Sequence, residues 1–411
     1  MEISEFLRKG AAEGWVRETD NVNSVRIDGQ NRDCRVYEVR IDHLHYNVLN
    51  GRIATFISRY KMEHGSLPAD AGECDALIEK MFVDDNPQRL KATKLDIKAK
   101  GQQEVAIVLS SGIVIDGNRR FTCLRMLSRE ESQPRFLRCY IFPDTYDEKA
   151  IKGLELEVQL GRDEKVTYDA IARLVDINAW VNKGPMTKDE YALHAGMKAG
   201  DMTKALREIE VLNDFLEFID APGAYHIAQD MKLQGTVESL AGRLRDCKND
   251  DEREDLESVV FSNVLMGNLG DRARVVRDLC DNTLDSLRGD GEFADEQLEI
   301  AERVLGKLED RPAAVPMSTE FLRDHVASDT DLKSEQQASF EKARIKAGNS
   351  KIKNGQVRSV RNAIGSLEGV DTALLSKLAP EQLSDMREGL GDIIDLATSL
   401  KAKVEAAASA R

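Results

Sequence analysis

The chain of 411 residues carries 58 Lys and Arg against 73 Asp and Glu, a formal net charge of −15, with 41% hydrophobic residues. This length predicts two or three domains with enough apolar residues to form their cores. The acidic balance repels phosphate backbones, so it excludes nonspecific coating of nucleic acid by the whole surface but permits a locally basic element. The sequence lacks a run of about 20 apolar residues and a secretory signal, so we expect a cytoplasmic protein with no membrane partner.

Residues 1–150 are predicted to form a small α+β domain. Four short segments bounded by Gly, Pro, Asn or Asp are typical of strands: an alternating segment at 36–41 and apolar runs at 104–109, 113–115 and 138–142. Between them, apolar residues at helical spacing predict helices over 53–62, 74–82 and 119–128.

A helix-turn-helix domain is predicted over residues 151–220, because the chain is helix-patterned beyond about residue 150. Thr187 and Glu190 have the spacing of a capping box, which opens a short helix. Gly196 provides a turn, and a second helix begins near Asp201. A short helix, a glycine turn and a longer helix in this order are typical of the motif.

Residues 221–411 are predicted to form a helical C-terminal domain for dimerisation or partner binding. The basic segment 346–361 lacks acidic residues, which indicates an exposed loop or a nucleic-acid contact. The last helix is expected to start at Ala379-Pro380. Its apolar residues recur every three or four positions, which fits a dimer seam or packing onto helices of its own domain. These residues are Leu383, Met386, Leu390, Ile393, Ala397, Leu400 and Val404.

The most informative stretch is 113–125, where an apolar strand runs through Asp116-Gly117 into a helix whose first turn holds Arg119 and Arg120. Cations at a helix N-terminus oppose the helix dipole. A bound anion would resolve that conflict, because backbone N–H groups and guanidinium groups together grip phosphate. Pairing of the two arginines with nearby carboxylates is the alternative.

This stretch resembles the second box of the ParB N-terminal domain, which belongs to the sulfiredoxin-like superfamily. Upstream, the sequence Asn-Val-Leu-Asn-Gly-Arg at 47–52 has the spacing of that family's first box, with the first Asn and the Arg retained. The segment 156–163 loosely resembles the family's Glu-Asn-hydrophobic-Gln-Arg segment, and the helix-turn-helix follows in the same chain order. The resemblance covers residues 35–220.

The resemblance implies a pocket for a nucleoside triphosphate, typically CTP with magnesium, and a helix-turn-helix that reads DNA. Glu157 would lie near the metal or the phosphates. Asn118 stands where the family usually has Glu, which leaves nucleotide hydrolysis open. The implied nucleotide-binding residues are Asn47, Asn50, Arg52, Asp116, Gly117, Asn118, Arg119, Arg120 and Glu157. Arg125 and Arg129 are expected to add positive charge to the same pocket.

The outward positions of the second helix of the motif are Lys198, Thr203, Lys204 and Arg207, which are the expected DNA-binding residues. Three basic residues face three acidic ones along this helix, so the element is locally neutral. Phosphate contacts supply much of the affinity for DNA, so weak DNA binding or a purely structural helical hairpin are both open. If it binds DNA, the protein is expected to associate with the nucleoid.

Two other function classes remain open. The Asp-Gly-Asn-Arg-Arg box is equally compatible with a nuclease or nucleotide-dependent phosphotransferase of the same superfamily, in mobile-element or defence biology. The acidic helical half, with dense acid at 250–257 and 290–302, would suit an adaptor that docks a partner protein and keeps a vestigial pocket.

Three weaker features are interpreted as structural or as minor candidates. His43 and His45 alternate and could ligate a metal, although the sequence offers no third ligand nearby. The segment 84–86 is interpreted as a solvated loop, and Cys123 as a core residue.

Overall fold

The computed structural model describes residues 2–27, 30–145, 147–160, 169–269, 273–312 and 315–409, with side chains outside 26–27, 158–160 and 348–359. Contacts along the chain separate two compact units, Met1–Ala343 and Arg344–Arg411. The domain boundaries predicted at 150 and 220 both fall inside the first unit.

A six-stranded mixed sheet lies in the N-terminal part of the first unit. Its strand order is β1-β2-β6-β4-β5-β3, with β4 parallel to β6 and β3 parallel to β5. The strands are β1 (Val16–Ile27), β2 (Gln30–Arg40), β3 (His45–Tyr46), β4 (Ala106–Leu109), β5 (Ile113–Asp116) and β6 (Phe136–Phe142). The four predicted strands are confirmed within this sheet, and the hairpin strand β1 and the short β3 add to them.

Helices cover both faces of the sheet. They are α1 (Ile3–Glu13), α2 (Ala54–His64), α3 (Ala71–Asp85), α4 (Pro87–Lys100), α5 (Asn118–Glu131) and α6 (Glu148–Leu160). Strand β4 shows the layering, because Val108 packs in one apolar cluster with Phe121 of α5, while Ile107 packs in a second with Leu154 of α6. Strands buried on both faces read as continuous apolar runs, which explains the sequence of β4. The predicted N-terminal mixture of strands and helices is thus confirmed.

The rest of the first unit is helical, as predicted. Its helices are α7 (Ala170–Ile177), α8 (Lys188–His194), α9 (Ala199–Phe218), α10 (Tyr225–Asp230), α11 (Gln234–Arg243), α12 (Asp250–Leu265), α13 (Ala273–Leu287), α14 (Glu292–Glu309), α15 (Thr319–Phe321) and the start of α16 (Thr330–Glu368). One apolar cluster runs from Leu156 to Phe340. Helices α8 and α9 therefore belong to the same core as the helices beyond residue 221.

The predicted short helix, glycine turn and second helix are present as α8 and α9. Thr187 and Glu190 form the reciprocal hydrogen bonds of a capping box at the start of α8. Gly196 has φ +54°, a left-handed conformation that glycine adopts at low cost. Met202 and Ile209 are buried, so the inward face of α9 is the expected one.

The second unit contains the remainder of α16 and helix α17 (Pro380–Ser409), which starts at the predicted proline. The segment 346–361 lies within α16. None of the described residues of α17 is buried, and along its apolar seam the exposed fraction reaches 62% at Val404. Among all described residues, no helix is long and apolar enough to span a membrane.

Candidate anion site at the start of α5

The start of α5 is shaped by one glycine. Gly117 has φ +95° and precedes the helix without capping it through a side chain. A Cβ atom added at Gly117 would lie 2.7 Å from Cβ of Ala106, so both the backbone conformation and the space require glycine. The first N–H groups of a helix have no partner within the helix, and this N-cap residue supplies none from a side chain. The strand, the glycine turn and the helix expected from sequence are therefore present here.

The first box, at 47–52, folds into two side-chain-stabilised turns. The Asn47 side chain accepts a hydrogen bond from the backbone N–H of Leu49 at 2.9 Å, and Asn50 accepts one from Arg52 at 3.1 Å. Asn side chains stabilise turns in this way. Gly51 packs so closely that an added Cβ would lie 2.6 Å from Oδ1 of Asp176. These constraints fix the direction in which the chain presents Arg52.

The two boxes meet at a carboxylate that neither contains. Nη1 of Arg52 lies 3.8 Å from Oδ2 of Asp85, and Nη2 of Arg119 lies 3.9 Å from the same atom. The arginine side chains are 17% and 18% exposed. Both separations exceed hydrogen-bonding distance, so the shared carboxylate stands near both guanidinium groups without a close bond to either.

Asp85 is not the solvated loop residue that the sequence predicted. It is the last residue of α3, and its side chain is only 19% exposed because the end of that helix faces both boxes. Burial raises the pKa of the Asp85 carboxyl, the positive charges of Arg52 and Arg89 oppose that rise, and the negative charge of Asp169 adds to it. Asp85 is therefore a functional candidate that sequence reasoning missed.

Each box also contains one buried asparagine side chain with an amide atom that has no hydrogen-bond partner among the described residues. Nδ2 of Asn47 and Oδ1 of Asn118 have no hydrogen-bond partner among the described residues, and the two residues are 5% and 4% exposed. The other amide atom of Asn118 donates to the carbonyl of Ile115 at 3.3 Å. Buried polar atoms without partners are few in folded proteins, so a donor and an acceptor at this place are consistent with a ligand or water.

Arg120 differs from its neighbour Arg119. Its Nη2 donates to Oδ2 of Asp116 at 2.9 Å, and its Nη1 contacts Glu104. Two carboxylates therefore compensate this guanidinium, as the alternative interpretation of the two arginines held. Asp116 is engaged in the same pair, so both residues support the turn at Gly117.

Arg125 and Arg129 do not add to the site, which corrects the expectation from sequence. Nε of Arg125 donates to Oε2 of Glu79 at 2.8 Å, and Nη1 of Arg129 donates to the same oxygen at 3.1 Å. The hydrogen bond to Glu79 raises the pKa of Arg129. Both arginines lie further along α5, on the face that packs against α3, so a buried carboxylate of α3 takes their charge.

Glu157 contacts helix α8 rather than the arginines of the two boxes. Its Oε1 is 3.0 Å from Nδ1 of His194, and its Oε2 is buried with no partner among the described residues. Residues 161–163, the rest of the third resembling segment, lie outside the described residues.

A buried ionic network lies behind the first box and was not foreseen. Nζ of Lys152 donates to Asp176 at 2.7 Å and to Glu155 at 3.2 Å, and Tyr191 of α8 donates to Asp176 at 2.6 Å. Since Asp176 also packs against Gly51, the network connects the first box with helix α8. A lysine on the apolar face of α6 was the one signal in the sequence.

The four residues expected to bind DNA differ in exposure and in their contacts within the protein. Lys198 is exposed before α9, and the hydroxyl of Thr203 donates to the carbonyl of Ala199 at 2.9 Å. Lys204 contacts Glu238 of α11 and lies 3.7 Å from Glu208, so its charge is compensated within the protein. Arg207 is half-buried.

The two histidines considered as metal ligands take separate structural roles. His43 stacks on Trp15 with ring centroids 4.5 Å apart, and Nδ1 of His45 lies 2.8 Å from Oδ2 of Asp75. Within the described ranges, no group of three His, Cys, Asp or Glu side chains is arranged to hold a metal.

Comparison with protein-family models finds no match, and comparison with curated proteins finds none either. The likeness to ParB-like proteins therefore rests on the paired boxes.

Proposed function

We propose that this protein is a ParB-like DNA-binding protein that binds a nucleoside triphosphate of the CTP type between its two boxes and switches conformation or self-association. The observation that carries the proposal is the approach of Arg52 and Arg119 to one carboxylate oxygen, at 3.8 and 3.9 Å. Two segments far apart in sequence thus deliver two guanidinium groups to one place beside a helix N-terminus.

Phosphate suits this arrangement chemically. Guanidinium groups donate in pairs to phosphate oxygens, and hydrogen bonds of this kind contribute about 1.5–3 kcal/mol each. The uncapped start of α5 adds N–H donors and the positive end of the helix dipole. The unpartnered amide atoms of Asn47 and Asn118 supply further polar groups at the same boxes.

Magnesium is compatible with the residues present. This ion is commonly held by one or two carboxylates together with phosphate oxygens. Oε2 of Glu157 is buried and has no partner among the described residues, which leaves this carboxylate with an acceptor for a cation. The magnesium role of Glu157 stays a proposal by resemblance.

Binding with a conformational response is favoured over catalysis. Position 118 holds Asn instead of a carboxylate, and Asp116 is paired with Arg120, so neither serves readily as a base. The first box is connected to α8 through Asp176 and Tyr191. A ligand that moves the first box would therefore act on the helices proposed to meet DNA.

The DNA-binding part of the proposal rests on exposed Lys198 and on Arg207 of α9. With Lys204 compensated by Glu238, few cations remain to contact phosphates. We therefore expect weak, salt-sensitive DNA binding that another contact, from a second copy or from the bound nucleotide, reinforces.

Calorimetric titration of CTP, ATP and GTP with magnesium tests the proposal. The wild type is compared with the double variant Arg52→Ala plus Arg119→Ala, and with Arg59→Ala, whose exposed guanidinium pairs with Glu63 on the surface of α2. We expect binding by the wild type and Arg59→Ala and at least a hundredfold loss in the double variant. Absence of nucleotide binding by the wild type would refute the proposal. Steady phosphate release in the same samples would favour the enzyme alternative.

A further inference from the structure

Asp85 occupies the position that an anionic ligand of the two arginines would need. Among the described residues, the charged groups that face it include Arg52, Arg119, Arg89 and Asp169. An anion bound to both Arg52 and Arg119 would lie close to the Asp85 carboxylate. Like charges at such separations repel strongly when water is largely excluded.

We propose that Asp85 is a built-in competitor for the anion position, so that the site disfavours phosphate groups that arrive without a cation. This inference rests on the proposed function and adds a residue that determines ligand specificity. A metal-free polyphosphate must either displace the carboxylate or accept its repulsion. A polyphosphate whose charge is partly neutralised by Mg²⁺ meets a weaker barrier.

The long ion pairs explain why the competition is reversible. At 3.8 and 3.9 Å, Asp85 makes no close hydrogen bond to either guanidinium group, in contrast to Glu79, which binds Arg125 at 2.8 Å. Burial raises the pKa of Asp85 in spite of its cationic neighbours, which indicates that they compensate its charge only in part. A carboxylate held in this way can be displaced or protonated at modest cost.

The test uses inorganic pyrophosphate and sulfate as probes on the full-length chain. Calorimetry compares the wild type, Asp85→Asn and the matched control Asp84→Asn, in which the preceding, exposed aspartate is changed. We expect Asp85→Asn to bind pyrophosphate in a chelating buffer at least tenfold more tightly than the wild type, and to gain less from added Mg²⁺. Asp84→Asn should match the wild type.

Sulfate adds a second test, because its charge stays constant over the pH range used. We expect the wild type to bind sulfate more tightly as pH falls from neutral through the raised pKa of Asp85, and Asp85→Asn to show a much smaller change. Circular dichroism and thermal unfolding confirm that the variants are folded.

The outcomes separate this inference from the proposed function. If Asp85→Asn binds metal-free pyrophosphate no more tightly than the wild type while Arg119→Ala abolishes binding, Asp85 is not a competitor and the anion site stands. Equal wild-type affinities with and without Mg²⁺ would also overturn the inference. If no form of the protein binds any of these anions, both the inference and the proposed function fail.

Discussion

The arginines of α5 lie at different distances from the carboxylates around them. At its start, Arg119 and the incoming Arg52 stand 3.9 and 3.8 Å from a shared Asp85. Toward its end, Arg125 and Arg129 donate to buried Glu79 at 2.8 and 3.1 Å. On one helix, therefore, Arg125 and Arg129, like Arg120, bind carboxylates of the fold closely, whereas Arg119 is part of a candidate ligand site.

The difference lies in how closely the shared or buried carboxylate approaches each guanidinium group. Close, charge-assisted hydrogen bonds to a buried carboxylate use the donors of an arginine, and removing one partner leaves a costly charge behind. A carboxylate shared beyond hydrogen-bonding distance leaves room for a second anion. A cluster of arginines in sequence is therefore a weak guide to a phosphate site until the carboxylates around it are known.

Glu79→Ala should produce the largest effect, because it removes the hydrogen bonds that Arg125 and Arg129 of α5 donate to Glu79. We expect the free energy of unfolding to fall by about 3 kcal/mol, because the substitution removes the buried carboxylate that hydrogen-bonds to Arg125. Urea denaturation measures this loss, and nucleotide affinity of the folded protein should change less than about twofold. Glu130→Ala removes a surface pair with Lys94 and should cost at most about 1 kcal/mol. A comparable loss for the two variants would contradict the structural role of Glu79.

Gly117→Ala is expected to act at the other end of α5, with a loss of about 2 kcal/mol in thermal unfolding. The substitution combines a left-handed backbone conformation with a contact of 2.7 Å to Ala106. Gly14→Ala is the matched control, because Gly14 has φ +75° with no atom within 4 Å of an added Cβ. We expect about 1 kcal/mol for this control. Equal losses would show that close packing at Gly117 does not matter.

The pH dependence of the free energy of unfolding tests the state of the Asp85 carboxyl, which is the carboxyl near Arg52 and Arg119. Since its pKa is raised in the folded protein, the stability that it contributes is present at low pH and is lost as pH rises through the folded-state pKa. Asp85→Asn should therefore be more stable than the wild type at pH 7, with a smaller advantage at pH 4. Urea denaturation at the two pH values measures it. An advantage that grows toward low pH would contradict the raised pKa.

The smallest effects are expected in α9. There Lys204 pairs closely with a carboxylate of the protein, whereas no ion pair is found for Arg207 among the described residues. Lys204 is compensated by Glu238, so Lys204→Ala should weaken binding to a labelled DNA duplex by less than about twofold. Arg207→Ala should weaken DNA binding by about threefold to tenfold. It should also reduce the slope of log K against log salt concentration by about one. Fluorescence anisotropy at several salt concentrations measures both. A larger loss for Lys204→Ala would reverse the assignment.

Much of the fold follows from local signals in the sequence. The capping box at Thr187, the turn at Gly196 and the helix start at Pro380 are fixed by residues within a few positions of one another. The four predicted strands also follow from short segments of the sequence that are bounded by turn-forming residues. By contrast, the long strand β1, Val16–Ile27, is largely polar, and α4, Pro87–Lys100, has few buried residues. Tertiary packing forms these two elements, so local patterns did not reveal them.

The site was predicted in part for the same reason. Gly117, Arg119 and Arg52 belong to short motifs and could be found by spacing. Asp85 could not, because a run of Asp and Asn after a helix resembles an ordinary solvated loop. Only the approach of α3 to both boxes makes it part of the site, and such approaches depend on contacts between distant segments.

A crystal structure of the protein soaked with CTP and magnesium tests the shared anion site most directly. We expect phosphate density within about 3 Å of the guanidinium groups of both Arg52 and Arg119. The Asp85 carboxylate should have moved away from its present place 3.8 and 3.9 Å from those groups. Nucleotide bound elsewhere, with Asp85 still between the two arginines, would contradict the shared anion site.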